Sequence, residues 1–295
     1  MRVAITGSAG LIGQALVADL LGDSHQVIHM VRREPTAPGE VRWDPATGDV
    51  DIGGLAGVDA IVHLAGAGVG DHRWTDSYKK EILDSRVLGT TAIACAAAEM
   101  SPHPRVLVCA SATGYYGDRG NTILDESASK GIGFLSDVVA DWEAAADPAR
   151  HAGIRVVHAR SGLVVSDKGG AWKRLIKQFR FGVGGRLGSG DQYWSFMSLK
   201  DEIKALRMLI NNGSLEGPIN LTAPNPVTNR EATRELARLV HRPAFVNVPA
   251  FALKTALGEF SIEALSSARV IPAKLQAAGF SWSEPTITEA LRACL

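Results

Sequence analysis

The feature that most constrains the fold is a glycine-rich segment, ITGSAGLIG at residues 5–13, directly after the first apolar run of the chain. Residues 2–6 predict a short strand, and residues 11–21 carry apolar side chains at helical spacing until Gly22 ends the pattern. Glycines spaced by three between a strand and a helix are typical of a phosphate-binding loop, because the N–H groups and the positive end of the helix face the ligand. The alternative is a strand–turn–helix whose glycines serve packing alone.

Each glycine of this segment has its own predicted role in binding a dinucleotide. Gly7 permits the sharp turn, Gly10 lets a pyrophosphate approach the backbone, and Gly13 lets the helix pack closely on the sheet. The same loop adds Ser8, Leu11 and Ile12 as predicted cofactor contacts. Small residues at the end of a later strand let the adenosine-ribose side of the cofactor lie against the backbone, and we assign this role to Leu64, Ala65 and Gly66.

The first half of the chain alternates apolar, β-branched runs with helical patterns. Strands are predicted at residues 27–31, 41–43, 59–64, 105–110 and 155–158, and helices at residues 76–100 and 134–152. Such alternation is typical of the α/β class. It predicts a Rossmann-type, doubly wound parallel sheet that is covered by helices on both faces.

The character of the sequence changes near residue 165, where glycine-rich loops begin. Beyond this point helices are predicted at residues 201–210 and 229–240, with strand-like pieces at 219–221 and 245–248. We therefore expect residues 1–165 to form the dinucleotide-binding domain. Residues 166–295 are expected to form a smaller C-terminal α/β lobe that binds the substrate and is partly interleaved with the first domain.

The residues that follow the second predicted strand indicate which dinucleotide is bound. An NAD site places a carboxylate there to accept hydrogen bonds from the ribose hydroxyls, whereas this chain has Arg32 and Arg33. A carboxylate would repel a 2′-phosphate, and two guanidiniums would hold it with charge-assisted hydrogen bonds. The sequence therefore predicts NADP(H), with solvated loop charges as the alternative interpretation of both arginines.

Composition argues against several classes of function. Among 295 residues, Lys+Arg and Asp+Glu both number 31, so the chain lacks the basic excess that nucleic-acid or anionic-membrane binding favours. Cys95, Cys109 and Cys294 are too few and too scattered for a disulfide framework or a metal site. No signal peptide precedes the first strand and no apolar run approaches 18 residues, so we expect a cytoplasmic protein that binds neither nucleic acid nor membrane.

Several further motifs resemble one known family. The glycine loop, the strand end HLAG at residues 63–66 and SATGYYG at residues 111–117 resemble the extended short-chain dehydrogenase/reductases, which include sugar-nucleotide epimerases and dehydratases. The resemblance narrows to a subfamily of uncharacterised epimerase family proteins, and it covers nearly the whole chain. The motifs that narrow it are RWT at 73–75 with SR at 85–86, GYYG at 114–117, DWEAA at 141–145, GPINL at 217–221 with PVTN at 226–229, and the tail RVIPAKL at 269–275 with AGF at 278–280.

This resemblance implies roles for individual residues. Ser111 matches the serine that polarises the substrate oxygen in relatives, and Tyr115 or Tyr116 on the same loop could supply a phenol. The alternative for the two tyrosines is packing of the loop against the nicotinamide. Further cofactor contacts are implied for Glu81, for Arg86, which occupies the place of an asparagine beside the cofactor, and for Arg160 at the end of a strand. A surface ion pair is the alternative for Glu81 and Arg86.

The catalytic dyad of the short-chain dehydrogenases is missing from this sequence. Relatives use Tyr-x-x-x-Lys, in which the lysine lowers the pKa of the tyrosine for proton transfer. None of the four tyrosines is followed four residues later by lysine, and Ser136 and Ala140 fall where the dyad would be. The function of an inherited epimerase scaffold is therefore open.

Two functions of different classes follow from these observations. The first is an NADP(H)-dependent oxidoreductase or epimerase that acts on a small carbonyl or hydroxyl substrate, with Ser111 orienting the substrate oxygen. The alternative is a non-catalytic NADP(H) redox sensor that regulates a protein partner, which the missing dyad favours. A homodimer through the helices predicted at 76–100 and 134–152 is also open, because their alanine-rich faces permit close packing.

Overall fold

The structure is a computed structural model that describes residues 1–244 and 246–295, apart from the side chain of residue 246. Its strands are β1 (Arg2–Thr6), β2 (Gln26–Val31), β3 (Glu40–Asp44), β4 (Asp49–Val50), β5 (Ala60–His63), β6 (Val106–Ala112), β7 (Ile123–Leu124), β8 (Arg155–Ser161), β9 (Leu163–Val165), β10 (Gly185–Leu187), β11 (Tyr193–Trp194), β12 (Phe196–Ser198), β13 (Gly217–Leu221), β14 (Val227–Thr228), β15 (Val246–Val248) and β16 (Arg269–Val270). Its α-helices are α1 (Leu11–Gly22), α2 (Asp76–Glu99), α3 (Phe134–Ala144), α4 (Asp147–His151), α5 (Gly170–Arg180), α6 (Leu199–Asn211), α7 (Asn229–Leu239), α8 (Ala250–Leu257), α9 (Ser261–Leu265), α10 (Ala273–Ala277) and α11 (Ile287–Cys294).

The large sheet has eight strands in the order β13-β8-β6-β5-β1-β2-β3-β4. All neighbouring pairs are parallel except β3–β4, which is antiparallel. The strand order runs outward in both directions from the pair β1–β5, so the crevice at the carboxyl ends of these two strands is the expected ligand site of a doubly wound sheet. The predicted α/β, Rossmann-type fold is confirmed.

Both faces of the large sheet are buried, as the β-branched strands predicted. Val3 and Ile5 pack with α1 and α6 on one face, whereas Ala4 and Ile61 pack on the face covered by α2 and α4. Successive side chains of a strand point to opposite faces, so one short strand contributes to both cores. This double burial fixes the register that places the strand ends, and with them the ligand crevice.

The helix predicted at residues 134–152 is two helices, which corrects that expectation. Helix α3 ends at Ala144 and α4 begins at Asp147, with a proline near the start of α4. Pro148 has no N–H to donate to the Ala144 carbonyl, so α3 ends there, and the new helix takes the proline into its first turn, where no such donor is needed. Both helices pack against α2, and the break lets α3 lie beside β6 while α4 lies beside β8.

Residues after 165 build small paired strands around a separate apolar cluster. Its centre is Trp172, Phe179, Phe196 and Leu236. Two later elements pack with the N-terminal part of the chain, because β13 pairs with β8 in the large sheet and α6 packs on α1. The strand-like piece predicted at 245–248 begins at Phe245, which lies outside the described residues. In the part of the chain that the structure describes, no helix is long and apolar enough to cross a membrane.

Candidate functional site

The glycine loop is packed so tightly that two of its glycines leave no room for a side chain. Gly7 has a positive φ of 67°, and a Cβ there would lie 2.8 Å from the backbone carbon of Leu64. A Cβ on Gly13 would lie 2.2 Å from the Gly7 carbonyl oxygen. The loop, the start of α1 and the end of β5 therefore fit together only with glycine at these positions.

The N-terminus of α1 opens this loop and has no side-chain cap. Gly10 is the N-cap residue, and the first turn contains no acidic residue. Gly10 is exposed, whereas Leu11 and Ile12 are half-buried. The first N–H groups of a helix need an acceptor, and the positive end of the helix dipole favours an anion. This end of α1 is therefore suited to a phosphate group.

Thr6 ties the end of β1 to the end of β5. Its Oγ1 accepts hydrogen bonds from the backbone N–H groups of Leu64 at 3.1 Å and Ala65 at 3.2 Å, and it lies 2.7 Å from Nδ1 of His63. Burial lowers the pKa of His63 to about 4, so the ring is neutral and its Nδ1 accepts from the hydroxyl. These bonds position the predicted contacts Leu64, Ala65 and Gly66 beside the glycine loop.

The two arginines after β2 differ in their partners. Arg33 donates from Nη1 and Nη2 to the two carboxylate oxygens of Glu40. This pairing is the main cause that lowers the pKa of Glu40 to about 2. Arg33 also donates to Thr36 at 2.9 Å. Arg32 is exposed, and no side chain of the described residues binds its guanidinium. Arg32 is therefore the guanidinium available to a ligand, because an anion at Arg33 has to compete with Glu40.

Arg86 is a mostly buried cation beside the end of β5. Its guanidinium lies over the ring of Trp142, with Cζ 4.9 Å from the ring centroid, and Nη1 donates to the Ile82 carbonyl at 3.0 Å. It also lies 3.6 Å from where a Cβ of Gly66 would be. Burial lowers the pKa of Arg86 to about 10, and no carboxylate among the described residues pairs with it. A buried cation without a counter-ion is costly, so this position favours an anionic ligand.

Glu81 lies one and a half turns earlier on the same helix and does not pair with Arg86. Its side chain is exposed and has no hydrogen-bond partner in the part of the chain that the structure describes. The ion pair considered as an alternative for these two residues is therefore not formed. The predicted cofactor contact of Glu81 stays a prediction.

Ser111 belongs to a buried polar network that the sequence did not reveal. Its Oγ donates to Oε1 of Glu143 at 2.6 Å, and Glu143 accepts two further hydrogen bonds from Nε and Nη2 of Arg160, both at 2.7 Å. Burial opposes the charge of Glu143, but the guanidinium outweighs it and holds the pKa of the carboxyl below its usual range. Ser111 is therefore bound to a carboxylate that remains ionised.

Arg160 is buried and bound by other protein groups, so its predicted cofactor contact stays a prediction that this arrangement does not favour. It is 2% exposed, its Nη1 donates to the Tyr116 hydroxyl at 3.0 Å, and its Cζ lies 3.5 Å from the ring centroid of Tyr115. All of its guanidinium nitrogens thus have partners inside the protein. Arg160 is a positioning residue that holds Glu143 and the two tyrosines.

The structure favours Tyr115 over Tyr116 as the candidate phenol. Tyr116 is fully buried and its hydroxyl donates to Oδ1 of Asn220 at 2.8 Å. Burial raises the pKa of Tyr116, so it does not supply a phenolate near neutral pH. Tyr115 is half-buried, and its hydroxyl has no hydrogen-bond partner among the described residues. At the place of the missing dyad, Ser136 is buried and donates to the Gly114 carbonyl at 3.0 Å.

A buried carboxyl on α6 is a further group that the sequence analysis missed. Glu202 is 1% exposed and accepts from Ser161 Oγ at 2.5 Å at the end of β8, and its Oε2 has no partner among the described residues. Burial raises the pKa of Glu202 to about 7. A hydrophobic pattern identifies α6 as a helix but does not show that one of its inward positions is acidic.

The C-terminal segment closes over the residues that follow β5. Nη2 of Arg73 donates to the Thr255 carbonyl at 2.8 Å, Lys79 pairs with Glu259 at 2.8 Å, and Trp74 packs against Phe260. These residues are therefore covered on one side by α8 and by the turn at residues 258–260 that follows it. Among the described residues there is no group of three or more His, Cys, Asp or Glu side chains that could hold a metal ion.

Comparisons with known proteins agree with this fold and loop. A model of the NAD dependent epimerase/dehydratase family matches residues 3–221, and a model described as a domain of unknown function matches residues 248–294. An epimerase family protein of Mycobacterium leprae is 43% identical over 290 residues, which are 98% of this chain and 94% of that protein.

Solved structures extend the comparison. The human epimerase family protein SDR39U1 (isoform 2), crystallised with NADPH, is 31% identical with a TM-score of 0.90 and covers 99% of this chain and 98% of its own. A nucleoside-diphosphate sugar epimerase from Corynebacterium glutamicum is 37% identical with a TM-score of 0.82, covering 99% of this chain and 57% of its own. The fold and the glycine loop define the class of nicotinamide dinucleotide-binding proteins. Within that class, the chain belongs to the NAD-dependent epimerase/dehydratase family, which confirms the predicted resemblance.

Proposed function

We propose that this chain binds NADP(H) and is an oxidoreductase of the epimerase/dehydratase type, acting on a small carbonyl or hydroxyl substrate without a Tyr-x-x-x-Lys dyad. One combination of features carries the proposal. The glycine loop opens an uncapped helix, and the next strand, β2, is followed directly by Arg32, which has no side-chain partner among the described residues. That the human relative was crystallised with NADPH supports NADP(H) over NAD(H).

The residues around the crevice fit such a cofactor from its adenosine end to its nicotinamide end. Backbone N–H groups in the first turn of α1, at residues 11–13, would hold the pyrophosphate, and Arg32 would hold the 2′-phosphate. Arg86 supplies a second positive charge to the pyrophosphate or to the nicotinamide ribose, which also gives its buried guanidinium the anion it lacks. Arg33, which is paired with Glu40, and the exposed Glu81 would contribute less.

The catalytic end of the proposed site is built around Ser111. When bound, the nicotinamide supplies or accepts a hydride. Ser111 donates its hydroxyl hydrogen bond to the Glu143 carboxylate, so its oxygen is free to accept a hydrogen bond from a substrate hydroxyl and would orient it. Of the two tyrosines on this loop, Tyr115 is the one whose hydroxyl has no hydrogen-bond partner among the described residues. The substrate proton moves through Tyr115 or water.

Cofactor binding is tested first, by titrating the protein with NADPH and with NADH and following nicotinamide fluorescence. We expect tighter binding of NADPH, and we expect Arg32→Ala to weaken it by about tenfold to a hundredfold, the range of one charge-assisted hydrogen-bonded contact. Arg105→Ala is the matched control. Arg105 is exposed beside Asp59 at the amino ends of the strands, away from the crevice at their carboxyl ends. Equal affinity for both dinucleotides in the wild type would overturn the NADP(H) assignment.

Turnover separates the enzyme from the redox-sensor alternative, which the buried Tyr116 and the absent dyad favour. A panel of carbonyl compounds is added to protein saturated with NADPH, and loss of absorbance of the reduced cofactor is followed. We expect Ser111→Ala to abolish any oxidation found while leaving NADPH affinity unchanged. Tight NADPH binding with no turnover, together with partner binding that depends on the redox state of the cofactor, would favour the sensor.

A further inference from the structure

A basic cavity of about 570 Å³ lies on the C-terminal part of the chain, between α7 and the strands β10 and β15. Four of its lining residues are arginines, contributed by β10, by α7 and by the turn that follows α7; they are Arg186, Arg230, Arg234 and Arg242. Thr233 and Asn247 add polar groups to the wall. Among the described residues that line it, none is acidic and none belongs to the glycine loop or to the Ser111 network.

One carboxylate at the edge of this basic cavity offsets one of its four charges. Arg230 donates to Oδ1 of Asp191 at 2.7 Å and to the Ser189 carbonyl at 2.8 Å. The same arginine is the main cause that holds the pKa of Asp191 below its usual range, with Arg186 contributing from a greater distance. Three guanidinium charges of the cavity thus have no carboxylate partner among the described residues.

The contacts of these three arginines are few and neutral. Nε of Arg186 is buried without a partner, and its Nη2 lies 3.2 Å from the amide oxygen of Asn247 in the orientation that satisfies both ends of that amide. Arg242 donates from Nε to the Arg180 carbonyl at 3.3 Å. Arg234 is exposed and makes no side-chain hydrogen bond within the part of the chain that the structure describes.

The acidic residues of α7 are committed to other tasks. Glu231 caps the N-terminus of α7 through Thr228. Glu235 binds Arg238 and Thr288 on another side of the helix. The basic cavity therefore keeps its positive charge although the chain as a whole has a formal net charge of zero. Like charges gathered in one concave site repel each other, and a bound anion removes that cost.

We propose that the basic cavity is a binding site, separate from the dinucleotide crevice, for a small molecule with two or more phosphate groups. Its volume lies within the range of small-ligand pockets, and the charges converge in a hollow instead of forming the extended stripe that tracks a nucleic-acid backbone. One phosphate monoester carries about −1.5 to −2 at neutral pH. Three uncompensated guanidiniums exceed that charge, and their planar donor groups suit phosphate oxygens.

Inorganic pyrophosphate is the probe, titrated by calorimetry into the whole chain saturated with NADPH, so that the dinucleotide crevice is occupied. We expect saturable binding of one pyrophosphate per chain, tighter than that of inorganic phosphate. Arg234→Ala removes one exposed guanidinium and is expected to weaken binding by about tenfold or more. Arg238→Ala is the matched control, because it removes the same charge from the same helix outside the basic cavity.

Several results would overturn the proposal. Absence of pyrophosphate binding would do so, as would equal weakening by Arg234→Ala and Arg238→Ala, which would indicate general attraction to the surface. Binding that is present without NADPH and lost when NADPH saturates the chain would assign the anion to the dinucleotide crevice instead. A hexaglutamate peptide that binds as tightly as pyrophosphate would identify an acidic-peptide surface. These readouts do not depend on turnover, so the proposal stands or fails separately from the proposed function.

Discussion

Replacing Gly13 by alanine tests whether the glycine loop is as tightly built as its geometry indicates. The added Cβ would lie 2.2 Å from the Gly7 carbonyl oxygen and 2.8 Å from Cα of Ser8, both of them backbone atoms that no side-chain rotation can move. Overpacking of a buried site costs about 1–3 kcal/mol, and because the backbone must shift here we expect the upper end, about 3 kcal/mol. The displaced loop should also lose its affinity for phosphate.

Gly22→Ala is the matched control for Gly13→Ala. It makes the same substitution in the same helix, α1, but a Cβ there meets nothing within 4 Å. Replacing a glycine that already has an alanine-compatible conformation stabilises a protein by about 0.4–1 kcal/mol. Gly22→Ala should therefore be neutral or stabilising, and it should leave the dinucleotide crevice unchanged.

The assay is urea unfolding of both variants with and without NADPH. The free energy of unfolding should fall only in Gly13→Ala. Ligand at 100 times its dissociation constant adds about 2.7 kcal/mol to a chain that binds it, so wild type and Gly22→Ala should gain that amount and Gly13→Ala should not. A Gly13→Ala protein within about 0.5 kcal/mol of wild type that still gains stability from NADPH would refute this account of the loop.

Two further predictions concern pH and assembly. The folded-state pKa of His63 is about 4, below the ordinary value of 6.5. The contribution of its neutral ring to stability is therefore complete above pH 6.5 and is lost as the pH falls toward 4. The loss of stability at pH 5 relative to pH 7 amounts to about 2 kcal/mol. Between pH 7 and pH 5 the free energy of unfolding should therefore fall less in His63→Gln than in wild type. His151→Gln, which changes an exposed histidine, should behave as wild type. An equal fall in all three proteins would contradict the reasoning. Light scattering tests the predicted homodimer through α2 and α3. Leu88 is 46% exposed beside a groove between these helices, so Leu88→Glu should convert a dimer to monomers. A monomeric wild type would disprove this prediction.

The parts of the fold that are local in sequence were predictable. The β-branched runs of β1 and β2 identify buried parallel strands, and the glycine spacing between β1 and α1 is meaningful because a strand precedes it and a helix follows it. The break at Pro148 was equally readable from local rules, since proline has no N–H to continue the hydrogen-bonded ladder of a helix. Apolar spacing alone predicts one helix over residues 134–152, because it does not take account of the proline.

The sequence predicted the role of a candidate site residue only where that role does not depend on partners far away in the chain. Ser111 and Glu143 are 32 residues apart, and the hydroxyl of Tyr116 meets an amide 104 residues away. A charged residue at the end of a strand is expected to be solvated or to face a ligand, so Arg160 was assigned to the cofactor. Its burial depends on Glu143, whose inward position on α3 follows from packing and not from the sequence pattern.

The same buried network explains why a substituted proton relay has to work differently from the usual dyad. In Tyr-x-x-x-Lys, a cation beside the phenol lowers its pKa and makes it a useful base. Here Arg160 is the neighbouring cation, but two of its nitrogens bind Glu143, and its contact with Tyr116 does not overcome the burial that raises the pKa of that phenol. Glu143 is itself a weak base, because the guanidinium holds its pKa low. The network thus orients Ser111 strongly and abstracts protons poorly, so the proposed function requires that the substrate proton exchanges through Tyr115 or solvent.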